Sequence, residues 1–328
     1  MADEVLDRIT YDPGAHEAGL APIPWPAGLE PRTRGVPHQS ASVPLADVLV
    51  ITWTAAEARA LADVLTPGIQ SAEWAAYDTG WASYAPQLTG RSPARDEGRL
   101  ASWCMTQVGG LAVTCVKSEL HPATDGPTLP TAQLAAQLAG ECSPRLVITT
   151  GTAGGAGDGT LLGDINVARA VRADFTSRLK DHPWSKGTWR AAPVTTGQGT
   201  ALAGTAPLIA ANAGRIPAQP RPPRIWAGDT VSTDTFAYDT QDDHFGLRAY
   251  DPAIRAVEMD DAAICAGING RVPVASCRNA SDPVLPSAGE ANAREAASIY
   301  QRFGYWTSIN SAICTWALIA GMSGDQAI

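Results

Sequence analysis

The sequence predicts an α/β fold, and two observations carry the prediction. Short apolar, β-branched runs recur at 47–52 (DVLVIT), 110–116 (GLAVTCV) and 145–149 (RLVIT). Helical composition follows the first two, at 55–65 and 129–138, and the third runs straight into a glycine cluster at 151–157. Alternation of this kind points to layers of helix on sheet.

Taken in order, residues 1–45 are rich in proline, glycine and charge (Pro22, Pro24, Pro26, Pro31, Pro37) and lack apolar periodicity. They read as an extended N-terminal arm, with one domain over 46–328. The run 47–52 reads as a strand, and the Ala, Leu and Glu content of 55–65 as the helix after it. Residues 171–224 hold Trp184, Trp189 and many prolines and glycines, and read as a loop-rich insertion with one helix near 205–212. Beyond it, 255–268 reads as helix, 273–277 as a short strand and 290–322 as mostly helix. No internal repeat or low-complexity tract interrupts the chain.

Composition narrows the function. With 328 residues and 45% apolar side chains the chain can bury a substantial core. A net charge of −9, from 33 acidic against 24 basic residues, offers no basic patch for nucleic acid or an anionic membrane. No apolar run reaches the roughly 18 residues that span a bilayer, and Met-Ala-Asp-Glu at the start lacks signal-peptide character, so a cytoplasmic protein is expected. Cys104, Cys115, Cys142, Cys265, Cys277 and Cys314 are scattered without a CxxC pair. They read as buried small hydrophobes. His16, His38, His121, His182 and His244 form no HExxH or HxH pattern, so neither a metal nor a cofactor is expected. Chemistry falls to carboxylates, hydroxyls and backbone dipoles.

Four stretches can carry it. TTGTAGG (149–155) puts a glycine-rich turn after a buried strand, where backbone N–H groups can approach a ligand. It fits neither GxGxxG nor a P-loop, and a tight connection is an equal reading. AVEMDDAA (256–263) sets Glu258, Asp260 and Asp261 near a helix start, which the dipole alone would explain. RNASDP (278–283) ends an apolar strand, where α/β enzymes often keep catalytic groups and where turns are also common. Glu57 lies in the first turn after the strand 47–52 and, alone, reads as a helix residue facing solvent.

In this order the four stretches resemble the nucleoside phosphorylase superfamily, and most closely its hydrolytic branch, the methylthioadenosine/S-adenosylhomocysteine nucleosidases. The matching segments are ITWTAAE (51–57), TGTAGG (150–155) with Gly163-Asp164, VEMD (257–260) and RNASD (278–282), within a similarity that covers roughly 46–320. The resemblance implies a three-layer α/β/α domain around a mixed central sheet. It also implies cleavage of the N-glycosidic bond of a nucleoside, with no metal or cofactor, and a homo-oligomer.

Carried over by position, Asp282 would protonate the leaving base and Glu57 would activate water. Thr152, Ala153 and Gly154 would lie beneath base and sugar, and Phe236 matches an aromatic that stacks on the base. Glu258 lies in the ribose-binding segment, Met259 would pack on the sugar, Asp260 would accept from its hydroxyls, and Arg278 matches a residue that steadies the acid. A C–N glycosidic bond breaks through an oxocarbenium-like state, which calls for a proton on the base and negative charge near the sugar.

Two departures bear on the substrate. Asp260 stands where the family carries Glu, which withdraws the carboxylate by roughly 1.5 Å and points to a modified sugar, a non-standard substrate or a weakened activity. The segment 117–126 (KSELHPATDG) has no arginine and carries Glu119 and Asp125, which disfavour phosphate and favour water as nucleophile. Arg59, near Glu57, keeps a phosphorylase open as an alternative, and a non-catalytic nucleoside-binding module is the third reading.

Overall fold

The computed structural model describes residues 19–35, 42–125, 128–157, 159–234, 253–283 and 290–324. Their strands are β1 (Arg32–Thr33), β2 (Val48–Thr52), β3 (Ala75–Tyr77), β4 (Ala101–Val108), β5 (Leu111–Ser118), β6 (Leu146–Gly155), β7 (Ile165–Val167), β8 (Ala170–Asp174), β9 (Thr188–Arg190), β10 (Ile225–Trp226), β11 (Asp229–Thr233), β12 (Ile254–Glu258) and β13 (Val274–Pro283). The principal helices are α1 (Ala55–Leu65), α2 (Pro130–Cys142), α3 (Thr196–Ala203), α4 (Ala206–Ala210), α5 (Asp261–Ile268) and α6 (Glu290–Gly324).

The layering follows from β2. All five residues of VLVIT are buried, as a strand covered on both faces requires. Successive side chains point opposite ways. Val48 and Val50 pack with Leu61, Leu65 and Ile309 from α1 and α6, whereas Leu49 and Ile51 pack with Leu134 and Ile264 from α2 and α5. Two cores therefore flank one sheet, which makes the domain three-layered, α/β/α.

The sheet is mixed and runs β1-β4-β5-β2-β6-β12-β11-β8-β9, with β3 on β4, β13 on β6 and β7, and β10 on β7. Strand β6 is its hub. Its first half runs parallel to β2, its whole length parallel to β13, and Gly154 and Gly155 pair antiparallel with β12.

Three segments differ from the sequence reading. The glycines of 151–155 continue β6 instead of turning. A Cβ on Gly155 would come within 2.9 Å of the Ala280 methyl on β13, so glycine lets the neighbouring strand close in. Residues 254–258, read as helix, form β12 between β6 and β11, and α5 starts only after Asp260. Pairing on both edges overrides the helical preference of Arg, Ala and Glu. Residues 170–174, at the start of the stretch read as an insertion, are the sheet strand β8 between β11 and β9, and the stretch after it holds β9, α3 and α4.

Residues 25–29 of the N-terminal arm lie on α6. The ring of Trp25 rests 4.7 Å from that of Trp316, whose Nε1 donates to the Leu29 carbonyl at 2.6 Å. Three residues further on, β1 pairs with the edge of β4. Among the described residues no helix is long and apolar enough to cross a membrane.

Candidate active site

The site begins at the β2–α1 junction. Thr54 caps α1 with a capping box: its hydroxyl accepts from the Glu57 N–H, and the Glu57 carboxylate accepts from the Thr54 N–H at 2.9 Å. The same oxygen, Oε2, accepts from Trp53 N–H at 3.1 Å and from the Thr52 hydroxyl at 3.0 Å. Oε1 turns to β6, accepting the N–H and hydroxyl of Thr152 at 2.7 and 2.6 Å. Burial pushes the Glu57 pKa up, but Arg278 and the Thr152 and Thr54 hydrogen bonds outweigh it and leave the pKa lowered. Glu57 is an anion in a cage of donors.

Gly151 makes that approach possible. Its φ is +147°, and a Cβ there would sit 2.5 Å from the Glu57 carboxyl carbon. Only a residue without a side chain fits. Two residues beyond Thr152, Gly154 faces Asp282 across the β6–β13 pairing, at a register shift between Ala280 and Asp282. Asp282 is partly buried, and the Ser281 hydroxyl donates to its Oδ1 at 2.7 Å. Burial raises its pKa to about 6 against the pull of that hydrogen bond. Glu57 and Asp282 thus flank the stretch Thr152–Gly154 with opposite tendencies, one held ionised and one inclined to keep a proton.

Beyond Glu57 lies a buried acidic cluster around Arg278. Its guanidinium pairs with Asp261 and, at 3.0 Å, with Glu258, and lies 4.8 Å from the centre of the Trp53 ring. Burial opposes its charge, yet Asp261 and Glu258 hold its pKa well above the usual value. Ser276 completes the seat of Asp261 with a 2.5 Å hydrogen bond. Glu258 accepts from the N–H groups of Asp260 and Asp261, at 2.6 and 2.9 Å, and from the Ser232 hydroxyl. Glu258 therefore ties the β12–α5 junction together with both its oxygens. Asp260 differs, because its Oδ1 is buried without a hydrogen-bond partner. Burial first, with Glu57, Asp261 and Asp125 adding, raises the Asp260 pKa well above the carboxylate range despite Arg278.

The loop after β5 closes the same region. His121 brings Nε2 to 3.5 Å from Asp260 Oδ1. Glu119 is bound by Lys117 and, at 3.1 Å, by Arg99, so its charge is matched. Asp125 accepts from the Ser92 and Thr131 hydroxyls at 2.7 and 3.3 Å. The Arg59 guanidinium stacks 5.0 Å from the Tyr305 ring centre on α6.

The residues read from sequence divide accordingly. Glu57, Thr152, Ala153, Gly154 and Asp282 meet along β6, while Glu258, Met259, Asp260 and Arg278 meet at the end of β12 and the start of α5. Arg278 turns to Asp261, Glu258 and the field of Glu57, whereas the shift on Asp282 comes from burial and Ser281. Phe236 lies outside the described residues. The sequence gives Thr52 and His121 no part in the site, reads Asp261 only as one of three acids near a helix start, and assigns Thr54 no role although T-x-x-E at 54–57 is a capping-box signature. Among the described residues no three His, Cys, Asp or Glu side chains are grouped to hold a metal ion.

A profile of the Phosphorylase superfamily matches residues 82–319. Among solved structures the fold is similar to that of 5'-methylthioadenosine/S-adenosylhomocysteine nucleosidase from Neisseria meningitidis in complex with methylthio-immucillin-A, with a TM-score of 0.54, 17% identity and coverage of 84% of this chain and 99% of that one. A mutant Helicobacter pylori nucleosidase with 5'-methylthioadenosine in its active site gives 0.54, 13%, 84% and 98%. Futalosine hydrolase of Helicobacter pylori gives 0.51, 12%, 84% and 97%. No curated protein matches the chain in sequence. At these identities the likeness to the solved structures is one of fold.

Proposed function

The chain belongs to the phosphorylase superfamily, and from that premise we propose that it hydrolyses the N-glycosidic bond of a nucleoside or nucleoside-like substrate, releasing the free base. The observation that carries this reading is the pair of carboxylates in opposed environments on either side of Thr152–Gly154. Asp282, its pKa raised to about 6 by burial, is suited to lend a proton to the departing base. Glu57, held ionised, is suited to face the positive charge that grows on the sugar as the bond breaks.

A carboxylate that already accepts five hydrogen bonds is a weak base. In our reading water replaces the Thr152 hydroxyl at Oε1 and gives up its proton late, once the sugar is cationic. Water is preferred to phosphate because the nearby cations are engaged: Lys117 and Arg99 with Glu119, and Arg278 with Asp261 and Glu258. Structures of similar fold hold 5'-methylthioadenosine and adenine, and we carry the purine nucleoside class to this chain. The substrate would be a free nucleoside in the cytoplasm, and the enzyme a homo-oligomer, which light scattering tests.

The decisive experiment is chromatographic detection of free base from a nucleoside panel that includes methylthioadenosine and sugar-modified analogues, with and without phosphate. Release at equal rates in both conditions is expected. Release only with phosphate would make the reaction phosphorolysis, and binding without release would make the chain a nucleoside-binding module.

A further inference from the structure

The loop that leaves β5 presents His121 to Asp260 in one tautomer. The Asp125 N–H donates to the His121 carbonyl at 2.9 Å, the Ser118 hydroxyl to the Leu120 carbonyl at 2.8 Å, and Arg178 to the Pro122 carbonyl at 2.6 Å. Inside this tied segment the Ala123 N–H donates to His121 Nδ1 at 3.0 Å. An Nδ1 that accepts carries no proton, so in the neutral ring the hydrogen sits on Nε2. Nε2 is 3.5 Å from Asp260 Oδ1, at the far limit of a hydrogen bond. That oxygen is buried and unpartnered, which folded proteins seldom leave without a reason. A donor and an acceptor thus stand side by side, neither satisfying the other.

We propose that His121 Nε2–H and Asp260 Oδ1 grip the substrate sugar together, one hydroxyl accepting from the imidazole while its neighbour donates to Oδ1 of the carboxyl group. His121 is then a specificity-determining residue that selects a vicinal diol over a deoxy sugar. Two neighbouring hydroxyls complement a donor and an acceptor set this close, whereas a sugar lacking one of them leaves a buried polar atom unmatched, which binding sites penalise strongly. Burial lowers the His121 pKa to about 4, against the upward pull of Asp125 and Glu57 and with Arg278 and Arg178 also lowering it. The ring is neutral at pH 7 and keeps its donor on Nε2. The proposal rests on the nucleosidase reading of the site.

The test compares ribonucleosides with their 2'-deoxy and 3'-deoxy counterparts, by turnover and by calorimetric binding, in the wild type, His121→Phe and His121→Gln. The wild type is expected to favour the diol. The Phe variant should lose about 10-fold or more of that preference, the scale of one hydrogen bond to a site group. The Gln variant, whose amide supplies N–H at a similar reach, should recover part of it. A purely structural role for His121 would lower activity on all sugars alike, and an unchanged preference in a folded, active Phe variant, or a Gln variant with no more preference than Phe, overturns the proposal. If no nucleoside is cleaved but binding shows a diol preference that His121→Phe removes, the hydrolytic reading falls and this one stands. A wild type indifferent to the diol in both measurements overturns it outright.

Discussion

Replacing Glu57 with Gln tests the cage that defines one half of the site. All five partners of the carboxylate donate, and an amide has one oxygen and one NH2. If the NH2 faced Thr52, Trp53 and Thr54, two backbone N–H groups would oppose it. If it faces Thr152, only one does, because the hydroxyl can rotate to accept. The second arrangement wins, and its cost can be worked out. One charge-assisted bond is lost, about 1.5–3 kcal/mol, and one buried donor is left against a donor, about 1–3 kcal/mol. A destabilisation of about 3–5 kcal/mol follows, out of a total that is commonly about 5–15 kcal/mol. Glu57 is only 4% exposed, so solvent does not dilute the effect.

Urea unfolding of wild type and Glu57→Gln at pH 7, with matched slopes, reads it directly. The sign with pH is fixed by the lowered pKa. The Glu57 contribution is complete above the ordinary value of 4.5 and fades as pH falls through the lower folded value. The gap between the two proteins should therefore shrink at the acid end. A gap below about 1 kcal/mol at pH 7 would refute the five-donor cage, and full base release by the Gln variant would refute Glu57 as the anion that serves the reaction.

Four further outcomes are expected. Gly151→Ala puts a methyl 2.5 Å from the Glu57 carboxyl carbon at φ +147°, so it should cost more than the about 1–3 kcal/mol of backbone strain alone and lower activity with stability. Asp282→Asn should abolish base release, and in the wild type kcat/KM should fall as pH rises through about 6, the pKa at which Asp282 loses its proton; a variant with full turnover would remove Asp282 from the acid role. Because a carboxyl with a raised pKa binds its proton more tightly in the folded state, the wild type loses stability relative to Asp282→Asn between the ordinary value of 3.8 and about 6, which urea midpoints at pH 4 and pH 8 would register. Trp25→Ala should destabilise the chain by about 1–3 kcal/mol, because the half-buried ring packs against Trp316; an unchanged thermal midpoint would mean that the arm adds nothing to the fold.

Much of the architecture was legible because its signals are local. The strand Val48–Thr52 is apolar on both faces, and helix 55–65 opens on a threonine cap, so both lie where the sequence puts them. The residues misread are those whose state is set from a distance. Glycines 151–155 continue a strand because β13 and Glu57 need the space, and 254–258 is strand because β6 and β11 flank it. The site shows the same divide. Glu57 and Asp282 could be named from motif order. Asp261 hides in a plain acidic pair, and its role depends on Arg278, 17 residues away in sequence. The charges of segment 117–126 speak only to phosphate, and no spacing rule links His121 to Asp260.

Strand β6 pairs with three strands, β2, β12 and β13, and the two halves of the site are fastened to it two residues apart. It works as a shared rail. A displacement of the rail carries Glu57 and Asp282 together, so their separation is insulated from breathing elsewhere in the domain and cannot be retuned by a change on one side alone. Under the proposed hydrolysis, variation in substrate then has to enter from groups mounted off the rail, such as the loop that carries His121 and the junction that carries Asp260.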